Sequence, residues 1–532
     1  MLAVLQRLAI PAVLLAAFIV ASVVTNRVGN EDLEPVSTEV TIEEADTPVY
    51  SVRRAPELLA SPKAAEELTA SLDAWIAELP SESCFIVSNG ADVIYEHQSS
   101  LPLTPASNMK VLTAAAALQA LGPDFRFETT VAAAEPPDEN GLLNGDLYLV
   151  GGGDPILMTD AYLATIVDTN SKVASSADDL ADQTVATNIA DIAGAVVTVE
   201  DRYDTERAPA NTPPEFLNNG LIGSLGSAIV DQGFTGFKQQ YANQLNDPPP
   251  PLLRASEPAA EFAANFDDLL EARNVRISAR SRVEPVAPDG LVPLLTFQSP
   301  PLSDIVQQML TNSDNTTAEL LVKELAFNAN PEAPGSTTSG LLELTTQLNA
   351  TGVDGSAAFA FDGSGMNAET KATCALLHDT LNISQHKETF RNALPVAGQS
   401  GTLANSFVGG PGEGRIRAKT GLLAQASALS GYFITDPGTE LTFSLIVNTS
   451  GEEPIRPREV RRWQNPLPEL LAPYPAGPPL SDLGPVGVDL SGGANIGIAA
   501  APATDPVTGE PVPDDGTDEG TDLGDVTDEG AD

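Results

Sequence analysis

The 532 residues, 42% of them hydrophobic, suffice for roughly two to four domains with large cores, which excludes a small disulfide scaffold. A mean hydropathy of −0.03 excludes a polytopic membrane protein and a chain disordered from end to end. Acidic residues number 73 against 27 basic ones, and the resulting net charge of −46 repels nucleic-acid phosphates, so no nucleic-acid partner is expected.

Residues 1–29 place Arg7 ahead of a 17-residue apolar run, Leu8 to Val24, the pattern of an export signal. The run is longer than most signal cores and slightly short of the ~20 residues that span a bilayer, so cleavage and retention as an anchor are both open. Membrane contact is expected through this segment alone, if it stays uncleaved. A polar linker, 30–56, follows. Glu57 to Leu79 has helical apolar spacing, and the apolar runs on either side of Asn89-Gly90 predict a hairpin, because that pair supplies the positive φ a tight turn needs. Cys84 and Cys374 are the only cysteines. Outside the cytoplasm they can close one disulfide or stay as two buried thiols, and spacing gives no geometry to choose between them.

Ser107 to Leu121 is rich in Ala and Leu and predicts a buried helix stopped by Gly122-Pro123. Strand-like pieces at Phe127 to Ala132 and Asp146 to Val150 precede Gly151 to Pro155, a Gly-rich stretch read as a turn. Residues 155–292 change to Ala, Asp and clustered Pro, the composition of inserted material. Leu302 to Leu310 and Thr317 to Phe327 are again helical by spacing, and Asp362 to Gly365 reads first as a tight turn and second as a place on a site rim. Two strand patterns around Asp436-Pro437-Gly438 give a second hairpin. With ribbons at both ends and helices between, the expectation is an α+β architecture in which residues 57–154 and 293–472 form one domain around the 155–292 insertion. Residues 473–532 read as a disordered tail, the last 32 carrying 11 acids and no Lys or Arg. The other 500 residues keep −35, so acidity is global; a salty medium and a lineage-wide composition both account for it.

Three short clusters carry the chemistry: Ser107-Asn108-Met109-Lys110, Ser313-Asp314-Asn315 and Lys419-Thr420-Gly421. Residues three apart share a helix face, so Lys110 can bring its amine to the Ser107 hydroxyl as a base to a nucleophile, although helix capping by Ser107 is the plainer reading of that cluster alone. A lysine of ordinary pKa about 10.4 resists this role by roughly 4–5 kcal/mol at neutral pH. Burial and a second cation both lower that barrier, and Lys419 is the cation at hand. Ser313 can relay a proton, Asn315 can hold a substrate amide, and Lys419 can attract a carboxylate. Ser384 to Lys387 repeats the Ser-x-x-Lys form by chance, since it follows the Ser-Asp-Asn cluster and leads into Leu394-Pro395 instead of a long apolar helix. With His97, His378 and His386 the only histidines and no Gly-x-Ser-x-Gly, a Ser-His-Asp hydrolase is disfavoured, and no metal or organic cofactor is implied.

In this order the clusters resemble the penicillin-binding proteins, specifically the low-molecular-mass class C group of D-alanyl-D-alanine carboxypeptidases and endopeptidases. The 206 residues from Ser107 to Ser313 match that family's habit of inserting two domains between its first two motifs. The resemblance implies a penicillin-binding, serine transpeptidase-like fold, an antiparallel sheet with helices on both sides. It also implies Ser107 as acylated nucleophile, Lys110 as base, Ser313 and Asn315 as second motif, and Lys419, Thr420 and Gly421 on the strand bordering the cleft. The backbone N–H groups of Ser107 and Leu422 would form the oxyanion hole. The implied partners are peptidoglycan peptides ending in D-Ala-D-Ala, with β-lactams as inhibitors, in the bacterial cell envelope. Leu422 departs from the Thr or Ser usual after Lys-Thr-Gly, and Asn367 begins a departure from the usual continuation of Asp-Gly-Ser-Gly. A non-catalytic peptidoglycan-binding protein on the same fold is the alternative. β-Lactamase or esterase activity ranks below it for want of a carboxylate to place as deacylation base.

Overall fold

A computed structural model describes residues 56–165, 173–236, 252–383 and 385–476. The apolar run Leu8 to Val24, nearly all of the linker, Ser384 and the tail from residue 477 lie outside the described residues. Among those described, no helix is long and apolar enough to cross a membrane.

The central layer is a five-stranded antiparallel sheet built from both ends of the domain. Its spatial order is Ile416–Leu423, Ala426–Ile434, Glu440–Asn448, Ser83–Asn89 and Asp92–His97. Both expected hairpins are present, with Gly90 at φ +60° and Gly438 at φ +91° in their turns. The strand Ser83–Asn89 is buried on both faces, and its side chains alternate between two cores. Cys84 and Ile86 join Met109, Leu112, Ala428, Tyr432 and Ile446 on one side. Phe85 and Val87 join Leu72, Trp75, Leu429, Phe443 and Trp463 on the other. Helices therefore cover both faces, as the family resemblance implied, and each fully buried large side chain contributes about 1.5–3 kcal/mol of transfer free energy.

Met109–Leu121 is buried along its whole first ten residues, the sign of a helix packed on every side. It contacts Leu302–Asn312, Asn315–Ala329, Thr337–Ala350 and Cys374–Leu381, and stops at Gly122, φ +84°. Lys110 therefore sits on a helix with no freedom to shift.

The second sheet is mixed, ordered Arg282–Glu284, Val196–Val199, Leu147–Val150, Glu128–Ala133 and Val292–Gln298. Its strands begin before residue 155 and end after 292, so the inserted layer is wider than composition suggested. The reason is a long-range pairing, Glu128–Ala133 against Val292–Gln298, that no local pattern announces.

Cys84 and Cys374 form a disulfide that ties the first strand to the start of the Cys374–Leu381 helix across 290 residues of sequence. Closing so long a loop restricts the unfolded chain, and the Cys84→Ser/Cys374→Ser double variant is expected to lose about 2–4 kcal/mol in urea unfolding. Unfolded, unreduced wild type should show no thiol to Ellman's reagent; two titratable thiols would contradict the bond.

Candidate active site

The site begins with a strained turn. Ala106 has φ 47°, a left-handed conformation that costs a non-glycine residue of order 1 kcal/mol and persists only where packing imposes it. Two glycines do so. A Cβ at Gly365 would lie 1.9 Å from the Ala106 carbonyl oxygen, and one at Gly421 would lie 2.6 Å from the Pro105 carbonyl oxygen. The Asp362 to Gly365 loop and the Ile416–Leu423 strand thus close on the turn, which is why Lys-Thr-Gly needs its glycine. Ser107 emerges from this turn at the head of the Met109–Leu121 helix, and Lys110 Nζ lies 3.0 Å from its Oγ.

The second cluster occupies the break between two helices. Leu302–Asn312 ends on Ser313 in the left-handed conformation, φ 59°, and Asp314 caps Asn315–Ala329 by accepting the Thr317 N–H. Asn315 Oδ1 accepts from Lys110 Nζ at 2.6 Å, and Ser313 Oγ accepts from Lys419 Nζ at 2.8 Å. All three clusters therefore converge, with each lysine held to the second. Asn315 also spends its Nδ2 on the Leu221 carbonyl at 2.7 Å, so both ends of its amide are engaged within the protein. Here it braces the amine, a use that the sequence reading, which gave it a substrate amide, did not include.

Lys419 Nζ donates further to the Thr420 carbonyl at 2.8 Å, and Thr420 Oγ1 to Thr402 Oγ1 at 2.8 Å. Leu422 is 55% exposed and directs no hydroxyl into the cleft. Its strand is the sheet's outer one; a bridge from Val396 covers Arg417, and no strand among the described residues pairs beyond it. A cavity of about 350 Å³ adjoins Ser313 and Asn315, walled by Met158, Tyr162, Leu221 and Phe234.

Both lysine side chains are fully buried. Burial pushes the Lys110 amine down to about 8, against the opposing pull of Asp362, Glu319 and Asp314. Lys419 falls well below its ordinary value, through burial first and repulsion from Lys110 second. The sequence reading made Lys419 the cation that depresses Lys110; here burial is the first cause at both amines, and repulsion between the two adds to it at Lys419. The carboxylates lie on the Lys110 side.

Sequence reasoning missed Glu319 and Thr402, and placed Ser364 on the site rim only as its second reading. Ser364 offers its carbonyl to Lys110 Nζ at 2.7 Å, from a segment read first as a turn. Glu319 stands four residues after Asn315 on the same helix face, a signal that was there to use. A Ser-His-Asp chain does exist, with Ser88 Oγ 2.7 Å from His378 Nε2 and His378 Nδ1 3.0 Å from Asp379. Ser88 is fully buried and its hydroxyl lies 2.9 Å from the Gly90 carbonyl, so no substrate reaches it. Lys387 of the repeated Ser-x-x-Lys form pairs with Glu440 at 3.3 Å.

Comparison with known proteins gives one answer. The model of the D-Ala-D-Ala carboxypeptidase 3 (S13) family matches residues 68–248 and 242–464. A D-alanyl-D-alanine carboxypeptidase of Actinomadura sp. strain R39 is 31% identical over 416 residues, covering 68% of this chain and 76% of that protein. Carboxypeptidase DacB of Mycolicibacterium smegmatis is 32% identical over 370 residues, 67% and 74% of the two chains. Penicillin binding protein 4 of Haemophilus influenzae shares the fold, with TM-score 0.62 at 21% identity over 75% of this chain and 99% of that one. The matched span holds Ser107, Lys110, Ser313 and Lys419 together, and the resemblance first read from their order is one of descent: the chain belongs to the D-Ala-D-Ala carboxypeptidase 3 (S13) family.

Proposed function

We propose that this protein is a serine-type D-alanyl-D-alanine carboxypeptidase and endopeptidase of peptidoglycan stem peptides, working through an acyl-Ser107 intermediate. The observation that carries the reading is the 3.0 Å approach of a buried Lys110 amine to the Ser107 hydroxyl. Neutral Lys110 takes the hydroxyl proton as Oγ attacks the carbonyl of the penultimate D-alanine. The Ser107 and Leu422 N–H groups stabilise the oxyanion, and the departing D-alanine amine receives a proton through Lys110 or Ser313. Water then releases the acyl group. β-Lactams acylate the same oxygen.

Lys419 and Thr420 are suited to the substrate's terminal carboxylate. A carboxylate beside Lys419 favours its charged form, and the cation so created lowers the proton affinity of Lys110. Where the family's usual hydroxyl is lost at Leu422, the carboxylate depends on these two partners. The open strand edge beyond Arg417 suits an extended peptide backbone.

The export pattern of residues 1–29 and the disulfide both fit an extracytoplasmic enzyme of the cell envelope. Cleavage or retention of the leader is read by N-terminal sequencing of exported protein. The domain reading is one penicillin-binding domain, from 57–154 and 293–472, interrupted by inserted material whose sheet also draws in Glu128–Ala133, Leu147–Val150 and Val292–Gln298. The polar linker, 30–56, and the tail, 473–532, flank it.

Intact-mass measurement after benzylpenicillin treatment should show one adduct, mapping to Ser107 and missing in Ser107→Ala. Folded protein that neither gains mass nor releases D-alanine from a D-Ala-D-Ala pentapeptide, yet binds it, would make the protein a peptide-holding one. A second measurement tests the base. Below about 8 the neutral fraction of Lys110 falls tenfold per pH unit, so the acylation rate should climb with pH and level off above that value. Lys110→Ala should acylate about 10²- to 10⁴-fold more slowly. A flat profile would remove Lys110 from the role.

A further inference from the structure

Behind the amine lies a carboxylate that the mechanism above does not use. Glu319 is fully buried one helical turn from Asn315. Its carboxylate accepts the Gly363 N–H at 3.0 Å and 3.1 Å and the Ser364 N–H at 2.8 Å. The carbonyl of Ser364 accepts from Lys110 Nζ at 2.7 Å. The Ser364 backbone is thus held at both ends, its N–H by the Glu319 carboxylate and its carbonyl against the Lys110 amine, which in turn meets Ser107 Oγ. Asp362, also buried, ties down the rest of the loop by accepting the Gly365 and Asn367 N–H groups at 2.8 Å and 2.7 Å. The loop has no slack: a Cβ at Gly363 would stand 2.4 Å from Val322 Cγ2.

Resting on the acyl-serine reading, we propose that Glu319 is a positioning residue for Lys110: it fixes the Ser364 carbonyl against the amine and places a negative charge behind it that holds the proton taken from Ser107.

The chemistry separates this role from two others. Both Glu319 oxygens face backbone N–H groups, so it is not the free carboxylate that a water-activating base requires. A neutral amide offers these N–H groups one oxygen instead of two and escapes the several kcal/mol of desolvation that a buried carboxylate carries, so charge and the second acceptor are the features gained. The charged groups around the pair are Asp362 on the loop, Asp314 at the helix start and Lys419 on the strand. Farther along the helix, Lys323 pairs with Asp204 and Glu324 with Arg202, so those charges are answered locally. Burial and the neighbouring Asp362 push the Glu319 carboxyl up, and the Gly363 and Ser364 N–H groups act against that push by favouring the charged form.

The test is the second-order rate of acylation by benzylpenicillin over roughly pH 5 to 10, with urea unfolding as a control. Glu319→Gln removes charge and keeps length. Its acid limb should move to lower pH by about one unit, because the amine loses a partner for its proton, and its plateau should fall about tenfold or more as the carbonyl shifts. Glu319→Asp keeps charge and withdraws the oxygens, so its plateau should fall while the limb stays in place. Coincidence of the Gln profile with wild type overturns the proposal, as does a lower plateau with an unmoved limb, which is the mark of a merely structural residue. If the Gln variant fails to fold, an Asp plateau equal to wild type overturns it alone. Wild type that reacts normally beside unaltered variants sinks only this inference, whereas unreactive wild type removes the acyl-serine reading with it.

Discussion

Desolvation of two lysine amines is the constraint around which the site is arranged. An amine in water is useless as a base at neutral pH, and burial is the means by which a protein makes one available. Yet a buried ammonium without partners is costly, so each amine is met by fixed acceptors. Lys110 has Asn315 Oδ1 and the Ser364 carbonyl, and Lys419 has Ser313 Oγ and the Thr420 carbonyl. The difference between them is the carboxylates. Asp362, Glu319 and Asp314 act on Lys110, whereas repulsion from Lys110 adds to burial at Lys419. The two amines, both buried, therefore differ in the company they keep: carboxylates gather at Lys110, and Lys419 has neutral oxygens.

Holding that arrangement requires parts far apart in sequence to stay within tenths of an ångström. The sheet does this by pairing strands from both ends of the domain, so that Glu440–Asn448 lies against Ser83–Asn89 and the disulfide anchors the same strand to a helix. The close approaches at Gly365 and Gly421 then transmit the sheet and loop positions directly to the Ala106 turn. Strain at Ala106 is affordable because a packed helix and two backbones leave the turn no alternative.

This division between local and long-range causes decides what was readable in the sequence. Asn89-Gly90 and Asp436-Pro437-Gly438 announce hairpins because turn chemistry is local, and Ser107 with Lys110 announces a shared helix face because spacing is local. The left-handed Ala106 is invisible, since its cause is contact with residues 365 and 421. The inserted sheet was drawn too narrow for the same reason, its outer strand joining residues 128–133 to 292–298. The burial of Lys419 is equally invisible, because sequence shows charge but not the water removed from it. Ser364 was hidden by type: what matters there is a main-chain carbonyl, and any residue could carry it.

The insertion itself is more than a spacer between motifs. From it, Leu221 gives its carbonyl to Asn315, Gln232 donates to Asp314, and the Thr316 hydroxyl accepts from Gly223 N–H. Arg202 and Tyr203 both reach Glu324, and Asp204 reaches Lys323, on the helix that begins with Asn315. Glu324 and Lys323 are buried, and a buried charge stripped of its partner costs about 3–5 kcal/mol, comparable with a large part of a domain's net stability. The inserted residues therefore answer the buried charges of the helix that begins with Asn315. Gln232 and its neighbour Asp231 both hold positive φ at that contact, so the insertion carries strained backbone where it meets the second motif.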